Sequence, residues 1–159
     1  MKRALLAFAA ILLFLPPTAA LENAEVEAVV TILEALSPER GEQVYYDEDA
    51  AGDWFDFDAE TDARIPAAGF SRESWQRAYD ETLKGLMATI PDAEFDAIFA
   101  GSESRINASP ALDETQKRQM IEDWREELGK ARALRASGSQ FREVVSPFAS
   151  RLQRLSPRQ

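Results

Sequence analysis

Apolar residues recur every three or four positions along most of this chain, which is the pattern of helices with one buried face. Each apolar stripe is one face wide, so the helices must pack against one another. The pattern therefore predicts a mostly α-helical single domain over 21–159, a small bundle of about five helices over 23–36, 71–90, 92–101, 113–138 and 139–156.

The segment from 43 to 62 has a different pattern. The stretch Trp54 to Asp58 is rich in aromatic residues, which alternate with aspartates from Phe55 onward, and Ala50 to Asp53 has the composition of a turn. Alternation and aromatic residues favour strands. We therefore expect a short β-hairpin or an irregular acidic loop near 43–58.

Residues 1–20 have the pattern of a secretory signal peptide. Lys2 and Arg3 precede a wholly apolar run over 4–15, two prolines follow, and Thr18 and Ala20 are the small residues that a signal peptidase reads. Twelve helical residues span only about 18 Å, too little for a hydrocarbon core of ~30 Å. We expect cleavage after Ala20, a periplasmic or secreted chain, and no transmembrane segment in the mature chain.

Composition excludes several kinds of chemistry. The chain has no cysteine and no histidine, so Ser-His-Asp triads, cysteine nucleophiles and zinc sites built on imidazole or thiolate are ruled out. An enzyme with this sequence would have to use carboxylates, Lys, Tyr, Ser, Thr or Arg. We expect no cofactor, and the chain is more readily a binding protein than an enzyme.

Charge is distributed unevenly. The formal net charge is −10, and residues 21–62 hold 14 acids against the single base Arg40. From Leu128 onward seven bases face one acid, Glu143, and most of them lie in or near the predicted basic helix over 139–156. The acidic balance disfavours nucleic acid as a partner. The asymmetry also indicates that the acidic front and the basic end face each other in the fold.

The acidic segment holds the candidate binding residues, which are Asp47, Asp49, Asp53, Trp54, Asp56 and Asp58. Part of it matches a calcium loop, with Asp47, Asp49 and Gly52 at positions one, three and six. Ala51 at position five and Asp58 at position twelve depart from the pattern, because aspartate lacks the reach of the closing glutamate. We therefore expect no metal site, with Asp47, Asp49 and Asp58 as weak candidate ligands.

Four large aromatic residues on the helical stripes, Trp75, Tyr79, Trp124 and Phe141, are expected to pack in the core rather than line a ligand pocket. The function that the sequence favours is a small, exported, non-catalytic binding or interaction module of the cell envelope, with an envelope protein or a glycan as its partner. The alternative is a carboxylate-based hydrolase that acts on a glycan through residues 45–62. Oligomeric state does not follow from the sequence.

Overall fold

The computed structural model describes residues 20–156, so the predicted signal peptide lies outside the described residues except for its last position, Ala20. No helix within 20–156 is long and apolar enough to cross a membrane. The predicted mostly helical class is confirmed. The helices are α1 (Asn23–Arg40), α2 (Ala50–Ala59), α3 (Arg64–Ala67), α4 (Arg72–Thr89), α5 (Asp92–Phe99), α6 (Ser102–Ala108), α7 (Glu114–Ser137), α8 (Arg142–Val145) and α9 (Ala149–Leu155).

The main core forms around α4, which packs against α1, α2, α8 and α9. Trp75 and Tyr79 of α4 are fully buried, as expected from their stripe. The Trp75 indole N–H donates to the carbonyl oxygen of Ala51 at 2.9 Å, and the Tyr79 hydroxyl donates to that of Tyr45 at 2.9 Å. These bonds tie α2 and the segment before it to α4, and they satisfy the polar ends of two large apolar side chains.

Helix α1 extends four residues beyond the predicted end at residue 36. Pro38 lies inside it without ending it, and the chain leaves the helix at Gly41. Gly41 has a φ of 71°, and its N–H donates to the carbonyl oxygen of Ser37 at 2.9 Å. The left-handed conformation that ends the helix is one that glycine adopts without strain.

The predicted β-hairpin is wrong. Residues 50–59 form α2, and no strand occurs within the described range 20–156. Ala50, Ala51, Trp54 and Asp58 lie on one face of this helix and are buried. Over so short a stretch, the sequence pattern fits both a helix and a strand. The helix forms because it buries this face against the core.

The segment 102–112, between two of the predicted helices, contains α6. This short helix packs on α7, where Glu103 accepts hydrogen bonds from the guanidinium of Arg125 at 2.8 and 2.9 Å. Its own apolar content is too low to predict it from periodicity, so the support from α7 is what makes it form.

The acidic front and the basic end meet where α9 packs on α1. The Arg151 guanidinium donates two hydrogen bonds to the Glu34 carboxylate, at 3.0 and 2.6 Å, and one to the Thr31 hydroxyl at 3.1 Å. The hydrogen bond from Arg151 lowers the pKa of Glu34 below its ordinary value. The two ends therefore face each other at this contact, whereas Arg132 and Arg135 of the basic end pair with Asp96 and Asp92 of α5. The predicted helix over 139–156 is divided into α8 and α9 by a 3₁₀ turn at Ser146–Phe148, which contains Pro147.

Candidate functional site: the outer face of helix α7

Helices α5, α6 and α7 lie outside the main core. None of their residues belongs to the core cluster, and Phe95 is the one buried residue that they contribute. Helix α7 is 24 residues long and has no buried residue at all. A long helix with an apolar stripe and no buried side chain is incomplete as a packing unit.

The three helices form a hairpin, in which α5 and α6 run antiparallel to α7. Residues later in α5 and α6 pair with residues earlier in α7, as is expected for antiparallel helices. We call residues 92–137 the arm. Its order is fixed by three ion pairs, Asp92–Arg135 (2.6 Å), Asp96–Arg132 (3.5 Å) and Glu103–Arg125 (2.8 Å).

The stripe of α7 is only partly covered by α5 and α6. Met120 is 44% exposed, and Trp124 and Leu128 are half-buried. We call these three residues the outer stripe. The expectation that Trp124 packs in the core is therefore wrong. An apolar stripe shows that one face of a helix requires a partner, but it does not show that the partner lies in the same chain.

The arm is attached to the core at the end of α7. The Arg135 guanidinium donates to the carbonyl oxygen of Ile90 at 2.6 Å and lies over the ring of Phe95, with 5.3 Å to the ring centroid. Gly138 follows α7 and packs directly on the backbone of Lys84 in α4. These contacts fix the base of the arm on α4. The outer stripe lies away from this attachment, toward the N-terminal end of α7.

A groove of about 720 Å³ lies at the base of the arm, between α7, α4 and the extended segment that precedes α2. The Lys84 ammonium lies 5.6 Å from the centroid of the Tyr46 ring, which forms one wall. The groove is lined by apolar side chains and by side chains of both charge signs. Its lining residues include Tyr46, Asp47, Glu48, Lys84, Glu127, Lys130, Ala131 and Leu134.

Asp80 lies on α4 one turn before Lys84, and one of its carboxylate oxygens is buried without a hydrogen-bond partner among residues 20–156. Burial raises the pKa of Asp80 above its ordinary value, and the charge of Glu48 raises it further. The ammonium of Lys84 acts in the opposite direction and lowers the pKa of Asp80. The ionised carboxylate is therefore less stable in this environment than in water.

The predicted acidic site does not assemble around one point. Asp47, Asp49 and Asp53 are exposed, and Asp47 is the one residue of the predicted set that lines the groove. The Asp47 carboxylate accepts a hydrogen bond from the backbone N–H of Asp49 at 3.0 Å, which stabilises the turn before α2. Asp56 points elsewhere and forms an ion pair with Arg72.

Trp54 and Asp58 are buried parts of the fold. Trp54 is 3% exposed and lies beneath the guanidinium of Arg40, 5.0 Å from the ring centroid. The Asp58 carboxylate accepts hydrogen bonds from the backbone N–H groups of Arg64, at 3.0 Å, and Ile65, at 2.7 Å. It thereby satisfies the free donors at the start of α3. Across the described part of the chain, no three acidic residues are arranged to hold a metal ion.

Sequence reasoning missed both the arm and the groove. The groove is lined by residues from three distant parts of the sequence, which are Tyr46 and Glu48, Lys84, and Glu127 with Lys130. Periodicity places each residue on its own element but carries no signal for which elements meet. Trp124 is the one residue of the outer stripe for which the sequence predicts a place, and it predicts burial in the core.

Comparison of the chain with protein-family models, with curated proteins and with solved structures gave no match.

Proposed function

We propose that this chain is a small, exported, non-catalytic interaction module of the cell envelope, and that it binds its partner through the outer stripe of α7. The observation that supports this proposal is the state of α7, a 24-residue helix with an apolar stripe and no buried residue. Apolar surface gathered in one place on a folded domain is typical of a protein-binding site.

The composition of the outer stripe fits this role. Tryptophan and methionine are enriched at protein interfaces, because they bury a large apolar area. Trp124 lies between Met120 and Leu128 on the helix, at the centre of the stripe, where residues that dominate binding energy are usually found.

Binding is favoured over glycan hydrolysis by what the acidic residues do. Asp58 caps α3, and Asp56 pairs with Arg72, so both have structural roles. Hydrolysis of a glycosidic bond requires two carboxyl groups at a set separation on either side of the bond. Asp47 and Glu48 of residues 45–62 line the groove together with Glu127, so the hydrolase is retained as the alternative function.

The experiment is photo-crosslinking in cells that export the protein. A photoreactive amino acid is placed at position 124 in one variant and at position 126 in the control. Glu126 is on the opposite face of α7, and its side chain is 68% exposed. We expect an adduct from position 124 and none from position 126, on a chain whose mass shows that it begins at Leu21.

Two outcomes would contradict the proposal. Equal adducts from both positions would show that the arm makes only non-specific encounters, and no adduct from either would leave the outer stripe without a partner. A recovered chain that retains Met1 would contradict export.

A further inference from the structure

We propose that the partner of the outer stripe is a second copy of this chain, bound in antiparallel orientation, so that two arms form a bundle with four helices in cross-section, namely α7 and either α5 or α6 from each copy. This inference rests on the proposed function, because it names the partner of the same surface. In this dimer, Trp124 is the residue nearest the two-fold axis.

The layers of the arm require such a partner. One arm has two layers, with α5 and α6 on one side and α7 on the other, and it leaves Met120 44% exposed. A second arm has the same length and the same uncovered stripe. Four antiparallel helices bury faces of this kind in a common core, and a two-fold dimer pairs a surface with itself.

The charges along α7 favour a second copy in antiparallel orientation. Residues 114–127 hold five acids and three bases, whereas residues 128–137 hold three bases and no acid. Each of these three bases forms an ion pair within its own arm, but Lys130 and Arg132 are 61% exposed and so remain accessible to a partner's acids. An antiparallel copy places the acidic half of each α7 beside the basic half of the other. A parallel copy would place like charge beside like charge, which electrostatic complementarity disfavours.

A lipid surface fits these charges less well. An anionic membrane attracts helices whose polar face is rich in Lys and Arg. The first half of α7 has more acids than bases, and the whole chain carries a net charge of −10. The membrane is therefore retained only as an outcome that the experiments below distinguish.

The proposed axis makes a specific geometric prediction. With Trp124 at the axis, Met120 lies opposite Leu128 of the second copy. Two copies of position 120 are then eight residues apart along the axis, or about 12 Å at 1.5 Å per residue. A disulfide requires Cα atoms within about 4.4–6.8 Å of each other, so unlike positions should form disulfides and like positions should not.

The first test is disulfide formation. The chain has no cysteine, so each introduced thiol is unique. We expect a mixture of Met120→Cys and Leu128→Cys chains to form a mixed disulfide dimer at least tenfold faster than either variant alone. Glu126→Cys is the control on the opposite face of α7, and it should form little dimer.

The second test is sedimentation equilibrium over a range of protein concentrations. We expect a monomer–dimer equilibrium for the unaltered protein and a dimer dissociation constant at least tenfold higher for Trp124→Glu. Gln119→Glu adds the same charge to the polar side of α7 and should leave the constant unchanged. Circular dichroism establishes that each variant is folded.

The proposal is overturned by a protein that stays monomeric at every concentration, or by a Met120→Cys variant that crosslinks with itself as fast as the mixture does. Binding of the monomer to anionic vesicles through Trp124 would also overturn it. If the protein is monomeric but position 124 captures a different protein in cells, the self-association proposal fails while the proposed function stands.

Discussion

Gly138 lies so close to Lys84 that a Cβ atom at position 138 would come within 1.9 Å of the Lys84 carbonyl oxygen. This contact joins the end of α7 to α4 and sets where the arm leaves the core. Gly138 has a φ of −80°, which any residue adopts, so the requirement for glycine here is one of space.

Gly138→Ala should therefore destabilise the protein through overpacking, by about 1–3 kcal/mol or more in urea unfolding. The control is Gly129→Ala, also on α7, where a Cβ atom meets nothing within 4 Å. Alanine has the higher helix propensity, so this change should stabilise by up to about 1 kcal/mol. Equal effects of the two changes would show that α7 does not pack on α4 as described.

Asp58→Ala should destabilise by about 1.5–3 kcal/mol, because it removes a charged acceptor from two backbone donors at the start of α3. Asp49→Ala is the matched control. Asp49 is exposed and its side chain makes no capping hydrogen bond, so its loss should change stability by less than about 0.5 kcal/mol. Chemical denaturation of both variants measures the difference, and a larger loss for Asp49→Ala would restore the predicted acidic site.

Asp80→Asn should raise the melting temperature at neutral pH. Burial raises the pKa of Asp80 above its ordinary value of 3.8, so the folded state prefers the protonated acid. The contribution of Asp80 to stability is therefore highest below pH 3.8 and is lost as the pH rises through the raised pKa.

Calorimetry at a series of pH values tests this prediction. The advantage of Asp80→Asn over the unaltered protein should shrink as the pH falls below 4. Glu73→Gln, an exposed change on the same helix, should show no such trend. An Asp80→Asn variant that melts lower than the unaltered protein at pH 7 would indicate that the carboxylate is stabilised by a partner.

Arg151→Gln should reduce stability at neutral pH by less than about 1 kcal/mol, since both side chains of the ion pair with Glu34 are partly exposed and solvent screens the interaction. Arg151 lowers the pKa of Glu34 below 4.5. The stability that results is present above pH 4.5 and is lost as the pH falls through the lowered pKa. We expect a shallower loss of stability in acid for Arg151→Gln, measured by urea unfolding between pH 5 and pH 3. An unchanged slope would place Arg151 away from Glu34.

Most of the fold could be predicted from the sequence where a stripe is long. The stripe containing Trp75 and Tyr79 predicted the helix over 71–90 and its burial, and the stripe over 113–138 predicted α7. Periodicity is a local signal, because it depends on residues within a few positions of one another, and the capping box of Asp113 and Gln116 is a structural finding that agrees with the predicted start at residue 113.

The rest depends on contacts between distant residues. The sequence predicts a strand or a loop for Trp54 and Asp58, because a stretch of four to five residues fits both the helical and the strand period. Packing on α4 is what selects the helix. Trp124 has the same local pattern as Trp75, yet Trp124 is only partly buried and Trp75 is fully buried. What differs is whether another element of the chain covers that face, and a stripe contains no information about this.

The most direct test of the account is acrylamide quenching of tryptophan fluorescence. Trp54 is 3% and Trp75 0% exposed, so Trp124 should supply nearly all of the quenchable emission in dilute solution. We predict that this fraction disappears in Trp124→Phe, and that it falls in the unaltered protein as concentration rises and the outer stripe becomes covered. A quenchable fraction that is the same in Trp124→Phe, or that is absent at every concentration, would contradict the claim that the outer face of α7 is a binding surface.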